Sequence, residues 1–216
     1  LIQCVIVPNC MMTAEVSDQF EAQPHLFIKN YEEVALLTHS TVGYKMSSQR
    51  YAVAHLITSL REQYKDQFVS PLMTAIATLL AGSSEQRDCA YHLFFYRCTE
   101  FPTIMRPARL LDDADSVKSF LTGIVLPDLA VRLRVGNDAS ETSPILLADA
   151  LIALCIFLNQ VDDALVLQLL QRCVALIDNA YISVRVLDVI LIERLLTQCQ
   201  QSGFHFCLLY TSAAAD

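Results

Sequence analysis

The sequence is poor in glycine, in charge and in the indole ring: 216 residues hold five glycines, no tryptophan and only 18% charged residues. Each scarcity excludes something. Phosphate-cradling loops need closely spaced glycines so that backbone amides can approach the anion, and Gly43, Gly82, Gly123, Gly136 and Gly203 stand alone, which argues against nucleotide hydrolysis. The 15 Lys and Arg form no run and the net charge is −8, so the clustered cations that neutralise nucleic-acid phosphates are missing and a basic protein partner fits better. No Gly-x-Ser-x-Gly elbow and no His-Glu-x-x-His pair occurs. No catalytic constellation is found, and the reading is of a binding protein without enzymatic activity or cofactor.

What is abundant is apolar side chain, 54% of the chain, far from a disordered composition. Eight cysteines are dispersed, and Cys89, Cys155, Cys173 and Cys199 fall inside apolar helical patterns where free cysteine packs as a small hydrophobe. That distribution suits a reducing compartment and not a disulfide framework. The most apolar window, residues 144–161, approaches the ~20 residues a membrane span requires. Asp149 lies at its centre and Glu141, Asp162 and Asp163 flank it, so it reads as a buried helix without membrane insertion.

Helical periodicity predicts helices over 47–61, 66–80, 85–98, 116–132, 144–158, 162–177 and 182–200. Gly82 stops the second, Ser83 with Gln86 forms a capping box, and Ser143-Pro144 places proline at the first helical position. Asp162 and Asp163 cap a helix start. Pro71 and Pro127 fall within helical patterns and should kink or offset them. Units starting at Ser47, Glu85, Ser143 and Ile182 lie 38, 58 and 39 residues apart, and the excess in the middle one is a long loop, 101–115. A period of about 40 built from helix pairs marks an all-α, HEAT-type solenoid, with a compact helical bundle as the alternative. The array covers 1–202, in units 47–81, 85–134, 143–178 and 181–202, and 203–216 reads as a non-native or disordered tail. The chain reads as an internal fragment whose exposed terminal faces predict self-association.

On the helix at 182–200, Arg185, Asp188, Glu193 and Arg194 read as the polar stripe. Cys89 and His92, three apart, could share a metal with Cys98 further along. No second pair stands at ligand spacing, so a core cysteine beside a partly buried histidine is the preferred reading and no metal is expected. His25, His39 and His55 read as surface or satisfied core residues. Asp112, Asp113 and Asp115, with Arg106 and Arg109, read as a solvated loop or a protein-binding one.

The opening segment is the most particular. An apolar helix end, 1–12, runs into an acidic, proline-marked connector with Phe20, Pro24, Phe27, Ile28 and Tyr31 at set spacings. Ile6-Val7-Pro8-Asn9 leads to Phe20-Glu21, Pro24 and Phe27-Ile28-Lys29. There follow, in order, Arg50-Tyr51-Ala52-Val53-Ala54-His55-Leu56-Ile57, Asp88-Cys89-Ala90-Tyr91-His92-Leu93, Val125-Leu126-Pro127-Asp128-Leu129, Pro144-Ile145-Leu146-Leu147-Ala148-Asp149-Ala150, Asn159-Gln160-Val161 and Ile192-Glu193-Arg194-Leu195-Leu196. Over roughly 1–196 the chain resembles the importin-beta superfamily of karyopherins, most of all its branch of exportins that return importin-alpha from the nucleus. An import receptor of the same superfamily, or a HEAT scaffold without Ran binding, is the alternative.

The resemblance implies a shuttling carrier of nucleus and cytoplasm that binds the GTP form of the small GTPase Ran together with importin-alpha as cargo, and admits nucleoporins as further partners. It implies that the connector bridges two repeats. It also places a Ran-contacting insertion at the loop 101–115, so that Arg106, Arg109, Asp112, Asp113 and Asp115 become the expected partner-binding residues.

Overall fold

The structure, a computed structural model, describes residues 1–30, 49–100, 109–110, 114–133, 143–161 and 163–201. Among the described residues it is all-α apart from one two-residue strand pair. The chain opens on a π-helical turn, Ile2–Ile6, continuous with Val7–Cys10; together these are α1. Two short helices follow, α2 (Ala14–Ala22) and α3 (Pro24–Asn30). Next come α4 (Gln49–Tyr64), α5 (Asp66–Leu80) and α6 (Ser84–Cys98). Helix α7 runs through Ala114–Phe120, a π-helical Leu121–Val125 and Leu126–Leu133. Helices α8 (Pro144–Ile156), α9 (Asp163–Val174) and α10 (Ile182–Gln201) complete the order.

Local chemistry places the breaks. Lys65, at φ 44°, turns the chain between α4 and α5 in one residue. Helix α5 ends before Gly82, where an added Cβ would lie 1.9 Å from the Gln86 Oε1 that accepts from the Ser83 amide. The box is therefore half formed: Gln86 caps the Ser83 amide, whereas the Ser83 hydroxyl donates to Glu85 instead of capping the helix. Pro144 takes the first position of α8 as expected, without a side-chain cap from Ser143.

Pro8 and Pro127 are each the second residue after a π-helical turn. The Val7 amide reaches Ile2 O and the Leu126 amide reaches Leu121 O. Widening the turn to five residues accommodates the donor that proline lacks and the ring that would strike the preceding turn. The expected offset at Pro127 takes this form. Pro71 lies inside α5, which continues through it.

Alternate helices pack side by side: α4 on α6, α6 on α8, and α8 on α10. Helices α5, α7 and α9 each lie against the next member of that row. Central members have neighbours on every side. Residues 145–156 of α8 are all buried, as are those from Asp88 to Tyr96 of α6. Phe94 stacks on Phe120 of α7 at 3.8 Å between ring centroids, and Phe157 closes on Phe94 edge-on at 6.0 Å. Among the described residues no helix is long and apolar enough to cross a membrane.

Three expectations change. Helix α7 begins at Ala114, so Asp115 is helical, and the base of the expected loop is an antiparallel pair, β1 (Thr99–Glu100) with β2 (Arg109–Leu110). On α10, Asp188 leaves the expected stripe and is buried, while Arg185 and Glu193 stay exposed beside the exposed Val186 and Val189.

The opening connector does not stop at a neighbouring unit. It forms α2 and α3, and α3 packs on α10. Phe20 meets Phe27 edge-on at 5.0 Å and Tyr181 at 5.6 Å, while the Ser183 hydroxyl donates to Phe20 O at 3.3 Å. A stack of nearest neighbours has no such contact between its first and last members; burial of Phe20 and Phe27 supplies it here. The segments 31–48 and 203–216 lie outside the described residues, and with them Tyr31 and His39.

Candidate functional site

The three later row helices each carry one fully buried aspartate: Asp88 on α6, Asp149 on α8 and Asp188 on α10. His92 sits one helical turn after Asp88, also fully buried, rather than partly so as its sequence context suggests. Arg50, in the first turn of α4, reaches across to both. Its Nη2 donates to Asp88 Oδ2 at 2.5 Å, its Nη1 lies 2.6 Å from His92 Nε2, and its Nε donates to Cys10 O at 2.9 Å. His92 Nε2 is 3.5 Å from Asp88 Oδ1 and 3.7 Å from Asp149 Oδ1. One polar network therefore joins α1, α4, α6 and α8 through the middle of an apolar stack.

Burial alone would raise the Asp88 carboxyl, but the Arg50 guanidinium and then His92 outweigh it and hold that carboxyl below the usual carboxylate range. Asp188 is different. Burial pushes it up to about 6, offset only in part by the neighbouring Cys173 thiol.

Asp88, His92 and Asp149 each offer a ligand atom within 4.8 Å of the others, a spacing that could hold a metal ion. Arg50 already engages Asp88 Oδ2 and His92 Nε2, so a divalent ion there would face a guanidinium at bonding distance. The donor set fits an internal ion network better than a metal centre. Full burial also keeps these groups from any substrate.

Of the residues singled out from the sequence, the structure describes two of the five expected partner contacts. Asp115 is exposed in the first turn of α7, Arg109 lies in β2 opposite Glu100, and Arg106, Asp112 and Asp113 lie outside the described residues. Cys89 and His92 share no ligand geometry: the Cys89 thiol faces Val7 O at 3.8 Å, and His92 turns to the aspartates. Cys98 is buried, with Arg97 Nη1 donating to its sulfur at 3.5 Å. His25 is exposed. His55 lies half-buried against the Tyr51 ring at 4.4 Å, and burial lowers its pKa.

Arg50, His92 and Asp149 were missed as a set. The available signal was the four-residue spacing of Asp88 and His92 and a lone aspartate in an otherwise apolar helix. A second cross-helix contact pairs Arg87 with Asp128, to which Tyr91 Oη also donates at 2.9 Å.

The segments that build this network, Arg50-Tyr51-Ala52, Asp88-Cys89-Ala90-Tyr91-His92 and Asp149-Ala150, are among the ordered motifs of the sequence. A family model, Cse1, matches residues 1–186, which span α1 through the start of α10. The chain belongs to the Cse1 family. It is thereby an exportin-2-like member of the importin-beta superfamily, and its family is one of nuclear export receptors. No curated protein and no solved structure matches the chain.

Proposed function

We propose that the chain acts within a receptor that carries importin-alpha out of the nucleus as a complex with GTP-bound Ran, shuttling between nucleus and cytoplasm. The observation that carries this reading is the Cse1 family match over 1–186. The net charge of −8 suits a basic protein partner, and the buried polar network gives the stack internal cohesion. The mechanism is mechanical. A HEAT-type solenoid, divided into units 47–81, 85–134, 143–178 and 181–202, exchanges a free form for a loaded one, and partner binding supplies the differential free energy.

Partner contacts are assigned to the β1–β2 hairpin and the start of α7, with Arg106, Arg109, Asp112, Asp113 and Asp115 at the interface. Nucleoporins are transient partners of the same receptor. Capture of Ran loaded with GTP or with GDP, with and without importin-alpha, tests the reading on this chain. Capture that prefers the GTP form and strengthens with importin-alpha is the expected result; equal capture of both forms, or none, overturns it. Reversing the charge of Asp115 should weaken capture of Ran-GTP several-fold and leave thermal stability unchanged.

A further inference from the structure

The interface of α1 with α6 holds two cysteines that face each other. The Cys10 thiol donates to Cys89 O at 3.9 Å, and the Cys89 thiol donates to Val7 O at 3.8 Å, one turn before Cys10 on α1. Each thiol thus points at the other helix from adjoining turns. Both are free cysteines, buried from solvent. We propose that Cys10 and Cys89 are a dithiol that closes to a reversible disulfide, fastening α1 to α6 beside the Arg50 network when a peroxide is present.

The two thiols are not equivalent. Burial, reinforced by the neighbouring Cys89 thiol, raises Cys10 well above an ordinary thiol. The neighbouring Cys10 thiol lowers Cys89, burial opposes it, and the His92 and Arg50 charges add to the lowering. Cys89 is therefore the thiolate that meets the oxidant. Burial pushes Cys155 up to about 12, and raises Cys173 as well, with Asp188 adding to the effect, so these thiols stay protonated.

The chemistry balances with peroxide as the named oxidant. The Cys89 thiolate attacks one peroxide oxygen, the O–O bond breaks, and a sulfenic acid forms with release of one water after protonation. Cys10 then attacks that sulfur, the S–O bond breaks, and the departing hydroxide takes the Cys10 proton to leave a second water. Two thiols give up two protons and two electrons, and one peroxide becomes two waters. Access needs only local opening of α1, which carries the exposed Leu1 and Val5.

The test treats the whole chain with hydrogen peroxide under native conditions, isolates the monomer, alkylates remaining thiols and maps peptides by mass spectrometry. The expected result is a Cys10–Cys89 linked peptide that forms ahead of any other pair and is lost with dithiothreitol. With it should come a raised thermal midpoint and slower hydrogen exchange in α1. In Cys10→Ser, dimedone should trap a sulfenic acid at Cys89, and in Cys89→Ser it should trap nothing at Cys10. Both thiols alkylated after oxidant, or links scattered equally over the other cysteines, would overturn the proposal. The wild-type map decides by itself if either variant fails to fold.

Discussion

Asp88 and Asp188 occupy the same kind of place, an inward position on a row helix, and both are fully buried, yet they end in opposite electrostatic states. Asp88 has a guanidinium at 2.5 Å and an imidazole one turn away, and stays ionised below its usual range. Asp188 has a thiol for a polar neighbour and titrates at about 6. Burial has one sign in both; the partner across the helix gap decides the outcome. In one half of the stack a buried acid joins helices together, and in the other it opposes folding whenever it is ionised.

The sharpest way to break this contrast is to remove the Asp88 partner. Arg50→Ala should cost about 3–5 kcal/mol in denaturant unfolding, because a buried carboxylate is left without its cation and Cys10 O loses a donor. Raising both pair members together to apolar residues, Arg50→Met with Asp88→Leu, should recover much of that loss, since it is the orphaned charge that is costly. Recovery of nothing would mean that the network fixes the helix arrangement as well as its charge.

Next in size is Asp188→Asn. A carboxyl raised in the folded state stabilises the fold as pH falls through about 6 and penalises it above that. Relative to an unfolded value near 3.9, the penalty at neutral pH is on the order of 3 kcal/mol. The substitution should therefore stabilise the chain by about 2 kcal/mol at pH 8 and do little at pH 4. Asp88 has the reverse sign: its lowered carboxyl contributes above the unfolded value and is lost as pH falls through the folded one. Thermal unfolding from pH 3 to pH 8 should show Asp188→Asn flattening the neutral limb while the acid limb, set by Asp88, persists.

Smaller effects sharpen the picture. Cys173→Ala removes the thiol that lowers Asp188, so the neutral limb should move to higher pH with a stability loss of about 1 kcal/mol above pH 7. Ser183→Ala, one turn before Asp188, removes the donor to Phe20 O at a cost of about 1 kcal/mol or less. Faster hydrogen exchange confined to α2, α3 and the start of α10 is the expected readout.

Helix positions were legible because apolar residues at three- and four-residue spacing have one physical reading in a chain this poor in glycine. Observed ends fall within about three residues of the expected ones, with α9 ending at Val174 rather than 177 and α8 at Ile156 before a short 3-10 turn, Leu158–Gln160. The membership of the superfamily was legible from ordered motifs. The network was not. Asp88 appeared only as part of a motif, Asp149 as an interruption of an apolar run, and Arg50 as one residue of a helix start, since nothing in a one-dimensional pattern says which charges meet across a helix gap.

Residue spacing alone thus determined the all-α character, the helix positions and the offset at Pro127, because these follow from backbone propensities acting within a few residues. Tertiary structure alone decided that Arg50 neutralises Asp88, that Asp188 is left to a thiol, that Cys10 faces Cys89, and that the opening segment crosses to α10. Those outcomes depend on distances between residues 38, 79 or 163 positions apart. Packing sets such distances, and local propensity carries no record of them.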